Sequence, residues 1–260
     1  MIPLSDSRQD KSVPYATDCL ILINIVAFLT FRFHLDGNPL YLHGLAIVPR
    51  DVEVCLNNLD SIFSQPVLFL QTLVRPFFSS MFLHADWLHL LGNLWFLFVF
   101  GKGVESRLGH FRFLAFYLAC GVAAGVFHVA ISLELGQQQV ELFGRIMHFG
   151  QGGAHVPVIG ASGAVAGVLG AYFISYPMAK VLVLLPPFFL FHLPALAFLG
   201  FWFVYQIFNA RAASQTFESY SNVAWWAHVG GFLAGIALVA IRTLMLPVKQ
   251  NTTVPQETTP

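Results

Sequence analysis

The amino-acid sequence predicts an all-α, polytopic membrane domain with six transmembrane helices. Three observations carry this expectation. Of 260 residues, 57% are hydrophobic and only 10% charged, where soluble domains run to about a quarter charged. Mean hydropathy is correspondingly high at +0.69. Apolar stretches recur along the chain at lengths near the ~20 residues that one helical span needs, and lipid-exposed backbone must satisfy its own hydrogen bonds, so each stretch is expected as a helix. The 13 Lys and Arg balance 13 Asp and Glu, which argues against nucleic acid or an acidic partner.

In chain order, residues 1–15 read as a polar, cytoplasmic N-terminal segment. The apolar stretch after it has no small-residue cleavage site and reads as a retained first span, Ala16–Leu35. A loop of about 47 residues, Asp36 to Phe82, follows. Its short amphipathic pieces, Val67–Leu73 and Pro76–Phe82, predict a structured element lying in the membrane interface. The second and third spans are placed at Leu83–Gly101 and Phe111–Leu135, then a glycine-rich polar loop at Gly136–Ile159. The remaining spans are placed at Gly160–Tyr176, Val181–Asn209 and Val223–Leu246. The membrane domain thus covers residues 16–246, and the polar Thr- and Pro-containing residues 247–260 are expected as a disordered tail. Cys19, Cys55 and Cys120 form neither a disulfide framework nor a C-x-x-C pair.

Orientation follows from Lys and Arg on alternate sides. The side holding both termini carries eight: Arg8, Lys11, Lys102, Arg107, Arg112, Lys180, Arg242 and Lys249. The other side carries five: Arg32, Arg50, Arg75, Arg145 and Arg211. Both termini are therefore expected in the cytoplasm with the two long loops outside, and Trp87, Trp225 and Trp226 fall where interfacial anchors belong.

With this topology the second, fourth and sixth spans begin at the outer face, and polar residues sit in their first turns. The second opens with His84, His89 and Asn93, the last two on one helix face. The fourth opens with Gly160-Ala161-Ser162-Gly163 and the sixth with Ala227-His228, continuing to Gly231 and Gly235. Singly, each has a structural reading: a small-residue packing face, a satisfied histidine, interhelical hydrogen-bond glue. Jointly they point to function, because ionisable groups inside a membrane are rare and tend to face a cavity.

A serine hydroxyl is a poor nucleophile until a base takes its proton, and histidine titrates near neutrality. Ser162 is the nucleophile candidate and His228 the base. His89, Asn93 and the Ser162 N–H can donate to a developing oxyanion. No carboxylate stands near His228 in the sequence, so a dyad is expected rather than a triad.

These residues resemble the rhomboid intramembrane serine proteases, over most of the chain from about Ile2 to Ala240. The motifs are His84-(x)4-His89-(x)3-Asn93, Gly160-Ala161-Ser162-Gly163, and Ala227-His228-x-x-Gly231-x-x-x-Gly235, with Ser79–Gly109 close to bacterial members. The resemblance implies a six-helix rhomboid-like bundle, Ser162 as nucleophile, His228 as base, oxyanion stabilisation by His89 and Asn93, and His84, Gly160 and Gly163 in support. It implies a protease without a metal or other cofactor, whose partners are membrane-anchored protein substrates cut in or near their transmembrane segments, commonly after a small residue. Substrate entry is implied between the second and fifth helices. The fifth span, rich in Phe (Phe188, Phe189, Phe191, Phe198, Phe201 and Phe203) and holding Pro186-Pro187, reads either as lipid-facing bulk or as a mobile gate with a proline hinge, and the loop Arg211–Asn222 as a cap. A bacterial cytoplasmic membrane is the expected location.

Two positions depart from the family pattern. Ala166 stands where many members have an aromatic packed on the catalytic imidazole, which leaves His228 held less tightly or by an aromatic from elsewhere. In the outer loop Pro76 stands where many have the Arg of a Trp-Arg pair, with Arg75 one step off. Glu105 and Arg107 match the family's acidic-basic pair and read as an inner-face ion pair. Two other functions compete. A non-catalytic rhomboid-like binder of transmembrane helices typically lacks the serine or the histidine, and both are present. A transporter would place its polar groups at the midplane with an exit to each side.

Overall fold

The structure, a computed structural model, describes residues 1–8, 12–34, 44–136, 139–142, 145–148, 154–215 and 223–245. The tail expected at 247–260 lies outside the described residues, as does the part of the expected cap at 216–222.

The chain opens with strand β1 (Ile2–Asp6) and helix α1 (Tyr15–His34). The described part of the first long loop contains four short helices, α2 (Pro49–Leu56), α3 (Leu59–Phe63), α4 (Pro66–Phe69) and α5 (Arg75–Ser79). A π-turn over Leu70–Val74 joins the last two, and a 3-10 turn over Ser80–Phe82 ends the series. Then come α6 (Trp87–Leu108), α7 (His110–Gly136), the hairpin β2 (Gln139–Leu142) and β3 (Arg145–His148), and α8 (Ser162–Ser175). A second hairpin, β4 (Lys180–Leu185) and β5 (Phe189–Pro194), precedes α9 (Ala195–Gln215) and α10 (Trp225–Met245).

Among the described residues the six expected spans meet six helices of a bundle, α1, α6, α7, α8, α9 and α10, the fifth span only in its second half. Four of them, α1, α6, α7 and α10, are long and apolar enough to cross a membrane on length and composition alone. Helix α8 is 14 residues, about 21 Å at the α-helical rise, which is short of the hydrocarbon thickness. It can be short because protein surrounds it: every residue from Gly163 to Tyr172 is buried. Its wall on one side is α10. Methyl groups added at Gly231 and Gly235 would collide with the carbonyls of Gly163 and Gly167, and one at Gly170 with that of Phe232. Backbones meet here with nothing between them, the approach that small residues permit in membrane helix packing.

The second span starts later than expected. Asp86, with extended backbone, caps α6 by accepting the His89 N–H at 2.9 Å, the N-cap arrangement. His84 therefore precedes the helix rather than lying in its first turn. The helix also continues past Gly101 to Leu108 and stops at Gly109, whose φ of +82° suits glycine.

The fifth span is not the single helix Val181–Asn209. Its first half is the β4–β5 hairpin, with Pro186-Pro187 between the strands, so that pair is not a helix hinge. Two adjacent prolines disfavour a helix interior, and Lys180–Leu185 buries alternate residues Val181 and Val183, the period of a strand. The helix starts only after Pro194. Phe188 and Phe189 are exposed hairpin residues, while Phe198 is buried and Phe203 stacks on Phe232 at 4.4 Å.

Nor is the N-terminal segment simply polar. β1 pairs antiparallel with β4 to make the sheet β1-β4-β5 at the end of the bundle opposite Ser162. The Trp95 indole donates to the Pro3 carbonyl at 2.5 Å and the Tyr172 hydroxyl to Asp6 at 2.6 Å. Arg8 lies over the Tyr176 ring at 3.4 Å. Four of the eight basic residues counted on one side, Arg8, Lys102, Arg107 and Lys180, meet around this sheet.

Glu105 does not pair with Arg107. It accepts from the Ala16 and Thr17 N–H groups and the Thr17 hydroxyl at 2.6–2.8 Å, and lies 2.6 Å from His110 Nδ1. The buried carboxylate thus satisfies the start of α1, where unpaired N–H groups and the helix dipole favour negative charge.

Candidate functional site

Ser162 is the first residue of α8. The segment leading to it is held from both sides: the Gly160 N–H donates to the Ser80 carbonyl at 2.8 Å, and the Ala161 N–H to His84 Nε2 at 3.5 Å. Gly160 has φ +125°, a conformation L side chains rarely adopt, and a Cβ there would lie 2.6 Å from the His89 ring and 3.7 Å from Ser162 Oγ. Glycine is therefore required twice over, by backbone and by space. The first hydrogen bond of α8 runs from the Val165 N–H to the Ala161 carbonyl. The Ser162 N–H precedes it and has no carbonyl partner within the helix.

On α6, His89 is half-buried beside that segment, and Asn93 is buried with its amide donating to the His89 carbonyl at 3.0 Å. The fully buried His84 ring stands edge-on to His89 with centroids 5.1 Å apart. Burial, reinforced by repulsion from His89, pushes the His84 pKa down to about 4. His84 is thus neutral at physiological pH, as accepting the Ala161 N–H requires.

His228 lies in the first turn of α10, half-buried. Its Nδ1 is 2.8 Å from Oε1 of Gln206 on α9. The Trp202 ring stacks near it at 6.1 Å and Trp225 stands edge-on at 6.0 Å. Ala166 is wholly buried, and the aromatics beside His228 come from elsewhere, one of the two alternatives its departure left open.

The close contact of α8 and α10 brings the two chemical residues near each other: a Cβ at Gly163, next to Ser162, would lie 3.7 Å from the carbonyl of Ala227, next to His228. Among the described residues no hydrogen bond joins Ser162 Oγ to His228. Such bonds are commonly long without substrate and tighten on binding. Ser162, His228, His89, Asn93, His84, Gly160 and Gly163 thus gather where α6, α8 and α10 begin. Among the described residues no group of three His, Cys, Asp or Glu is placed to hold a metal ion.

Two neighbours escape a reading by sequence. Gln206 and Trp202 sit one turn apart in a span whose interest lay in its phenylalanines; an amide in mid-span was the available signal. The outer loop is anchored despite its shifted register, because Arg75 Nε donates to the Gly44 carbonyl and Ser79 Oγ to the Leu45 carbonyl, both at 2.7 Å.

The Rhomboid domain family model matches residues 71–244. The chain is similar to Rhomboid-like protein 11, chloroplastic, of Arabidopsis thaliana, with 30% identity over 173 residues, 63% of this chain and 50% of that protein. It is 27% identical over 158 residues to Rhomboid protein 1, mitochondrial, of Saccharomyces cerevisiae, covering 61% of this chain and 39% of that one. It is 26% identical over 172 residues to the human Presenilin-associated rhomboid-like protein, mitochondrial, covering 64% and 37%. The chain spans half or less of the length of these relatives. Their names place them in organelles, which lends no support to a bacterial membrane; an integral membrane protein is what the comparisons carry.

Proposed function

This chain belongs to the rhomboid family, and from that premise we propose that it is an intramembrane serine endopeptidase, with its catalytic unit within residues 16–246. The observation that supports this best is the glycine-mediated contact of α8 with α10, which sets Ser162 beside the turn holding His228, with His89 against Gly160. Ser162 Oγ attacks the scissile carbonyl while His228 Nε2 takes its proton. The tetrahedral oxyanion is met by His89, the Asn93 amide and the Ser162 N–H. The intermediate collapses as His228 returns the proton to the leaving amine, and water, activated by the same imidazole, hydrolyses the acyl-enzyme.

The substrates are membrane-anchored proteins cleaved in or near a transmembrane segment. Both termini lie on the cytoplasmic side and the site opens to the opposite face, so that water reaches Ser162 without wetting the bundle. The basic residues gathered around the β1-β4-β5 sheet support this orientation. The test is cleavage of a reporter transmembrane protein by the reconstituted chain: Ser162→Ala and His228→Ala abolish it while folding is kept, and full activity in either variant refutes the dyad. A non-catalytic binder of transmembrane helices is the second reading, favoured by the absence of a Ser162–His228 hydrogen bond. It predicts reporter binding without cleavage in the unmodified chain.

A further inference from the structure

We propose that Gln206 is a positioning residue that sets the tautomer and orientation of His228, so that the base works within an uncharged Ser-His-Gln relay whose third member comes from α9. This rests on the reading of Ser162 and His228 as nucleophile and base. A base that takes a proton at Nε2 must carry its own hydrogen at Nδ1, and a buried ring N–H needs an acceptor.

Gln206 Oε1 is 2.8 Å from His228 Nδ1, and Gln206 is only 2% exposed. The orientation of the amide is itself determined. Its Nε2 donates to the Trp202 carbonyl one turn back at 3.2 Å, which leaves the oxygen end for the imidazole. An amide oxygen can only accept, so Nδ1 carries the hydrogen and Nε2 keeps its lone pair. The same helical turn supplies the Trp202 ring beside His228, so one turn of α9 fixes the imidazole both in plane and in tilt. In a soluble hydrolase a carboxylate does this work. Within a membrane a carboxylate carries the cost of burying charge, and the amide offers the acceptor without it. When His228 becomes imidazolium during the reaction, Nδ1–H still donates to the same oxygen.

The experiment uses the full chain, labelled with 15N-histidine and reconstituted in liposomes, as wild type, Gln206→Met and Gln206→Glu. Methionine keeps the length and removes the acceptor. His89 on α6 and His128 on α7, the other titratable groups around His228, are unchanged in every variant. The expected result is an Nδ1–H tautomer of His228 in the wild type and a tautomer mixture in Gln206→Met. Its kcat on the reporter falls about tenfold, the scale of one hydrogen bond, with KM little changed. Gln206→Glu retains activity, and the acidic limb of its pH profile moves to higher pH because a carboxylate favours imidazolium. Identical tautomers, kcat and pH limbs in all three proteins overturn the inference. If Gln206→Met does not fold, the Glu variant decides: an unmoved acidic limb overturns the role. If the wild type cleaves nothing, the proposed protease function fails, and the tautomer comparison between wild type and variants still upholds or overturns the role of Gln206.

Discussion

Gly231 on α10 lies directly against the backbone carbonyl of Gly163 on α8, and a methyl group added at Gly231 would overlap that carbonyl. The neighbours of these glycines, Ser162 next to Gly163 and His228 three residues before Gly231, are the two residues whose chemistry is at issue. Their separation is therefore set by backbone packing rather than by side chains. Gly231→Ala is expected to destabilise the bundle by about 1–3 kcal/mol, the usual cost of overpacking, and to reduce reporter cleavage. Gly92→Ala is the control, since nothing lies within 4 Å of a Cβ there. Unfolding of the two variants in detergent checks this, and equal stability would contradict the packing account.

Glu105 tests the capping of α1. Its carboxylate takes three donors from Ala16 and Thr17 and lies beside His110, and it is buried to 1% exposure. Glu105→Ala leaves those N–H groups without an acceptor and is expected to cost about 3 kcal/mol or more. Arg107→Ala, whose guanidinium is 6.0 Å from the Tyr176 ring rather than on Glu105, is expected to cost clearly less. An ion pair between the two would make the costs similar, so equilibrium unfolding of both variants distinguishes the arrangements.

The β1-β4-β5 sheet is a stabilising element remote from Ser162. Tyr172→Phe removes the 2.6 Å hydrogen bond to Asp6, whose side chain is fully buried. A loss of about 1–3 kcal/mol is expected, since a buried carboxylate is deprived of a partner. Labelling of Ser162 by a fluorophosphonate, normalised to folded protein, is expected to be unchanged. A matching loss of labelling would show that the two ends of α8 are coupled.

His84 makes the site acid-sensitive. Its pKa in the folded chain is about 4, below the ordinary 6.5 because of burial and then of His89. The folded state therefore binds fewer protons than the unfolded state between those values. The stability from the neutral ring is fully present above about pH 6.5 and is lost as pH falls towards 4. His84→Gln keeps an acceptor for the Ala161 N–H without titrating, and is expected to flatten the fall in melting temperature between pH 7 and pH 5. An unchanged slope would mean that His84 does not carry it.

Much of the bundle was legible in the sequence because lipid demands long apolar helices: four of the six spans begin and end within two residues of their expected places, while the second starts four residues later and runs seven further. The fifth span, Val181–Asn209, is predominantly apolar, and hydropathy cannot separate a buried strand from a helix. The alternation of Val181 and Val183 and the double proline were the contrary signals, and hydropathy outweighed them. Ile2–Asp6 was obscured for another reason: a five-residue strand in a polar N-terminal segment is stabilised by pairing with β4, a partner about 180 residues away that no local pattern reveals. At the candidate site, the grouping of Ser162, His228, His89, Asn93 and His84 was expected from the sequence because polar groups are conspicuous in or beside apolar spans. Gln206 was equally polar, but its importance lies in its 2.8 Å contact with His228, which depends on how α9 docks. The Glu105–Arg107 pair, expected from the family's acidic-basic pattern, does not form, because the Glu105 carboxylate is taken up by Ala16 and Thr17 of α1 and by His110 of α7.

The most direct test of the account is covalent labelling of the reconstituted chain by a fluorophosphonate, with the modified residue located by mass spectrometry. The account predicts a single adduct at Ser162 in the wild type, sharply slowed labelling in His228→Ala and none in Ser162→Ala. A wild-type chain that is folded and binds a transmembrane reporter yet leaves Ser162 unlabelled, or labels at the same rate without His228, would contradict it.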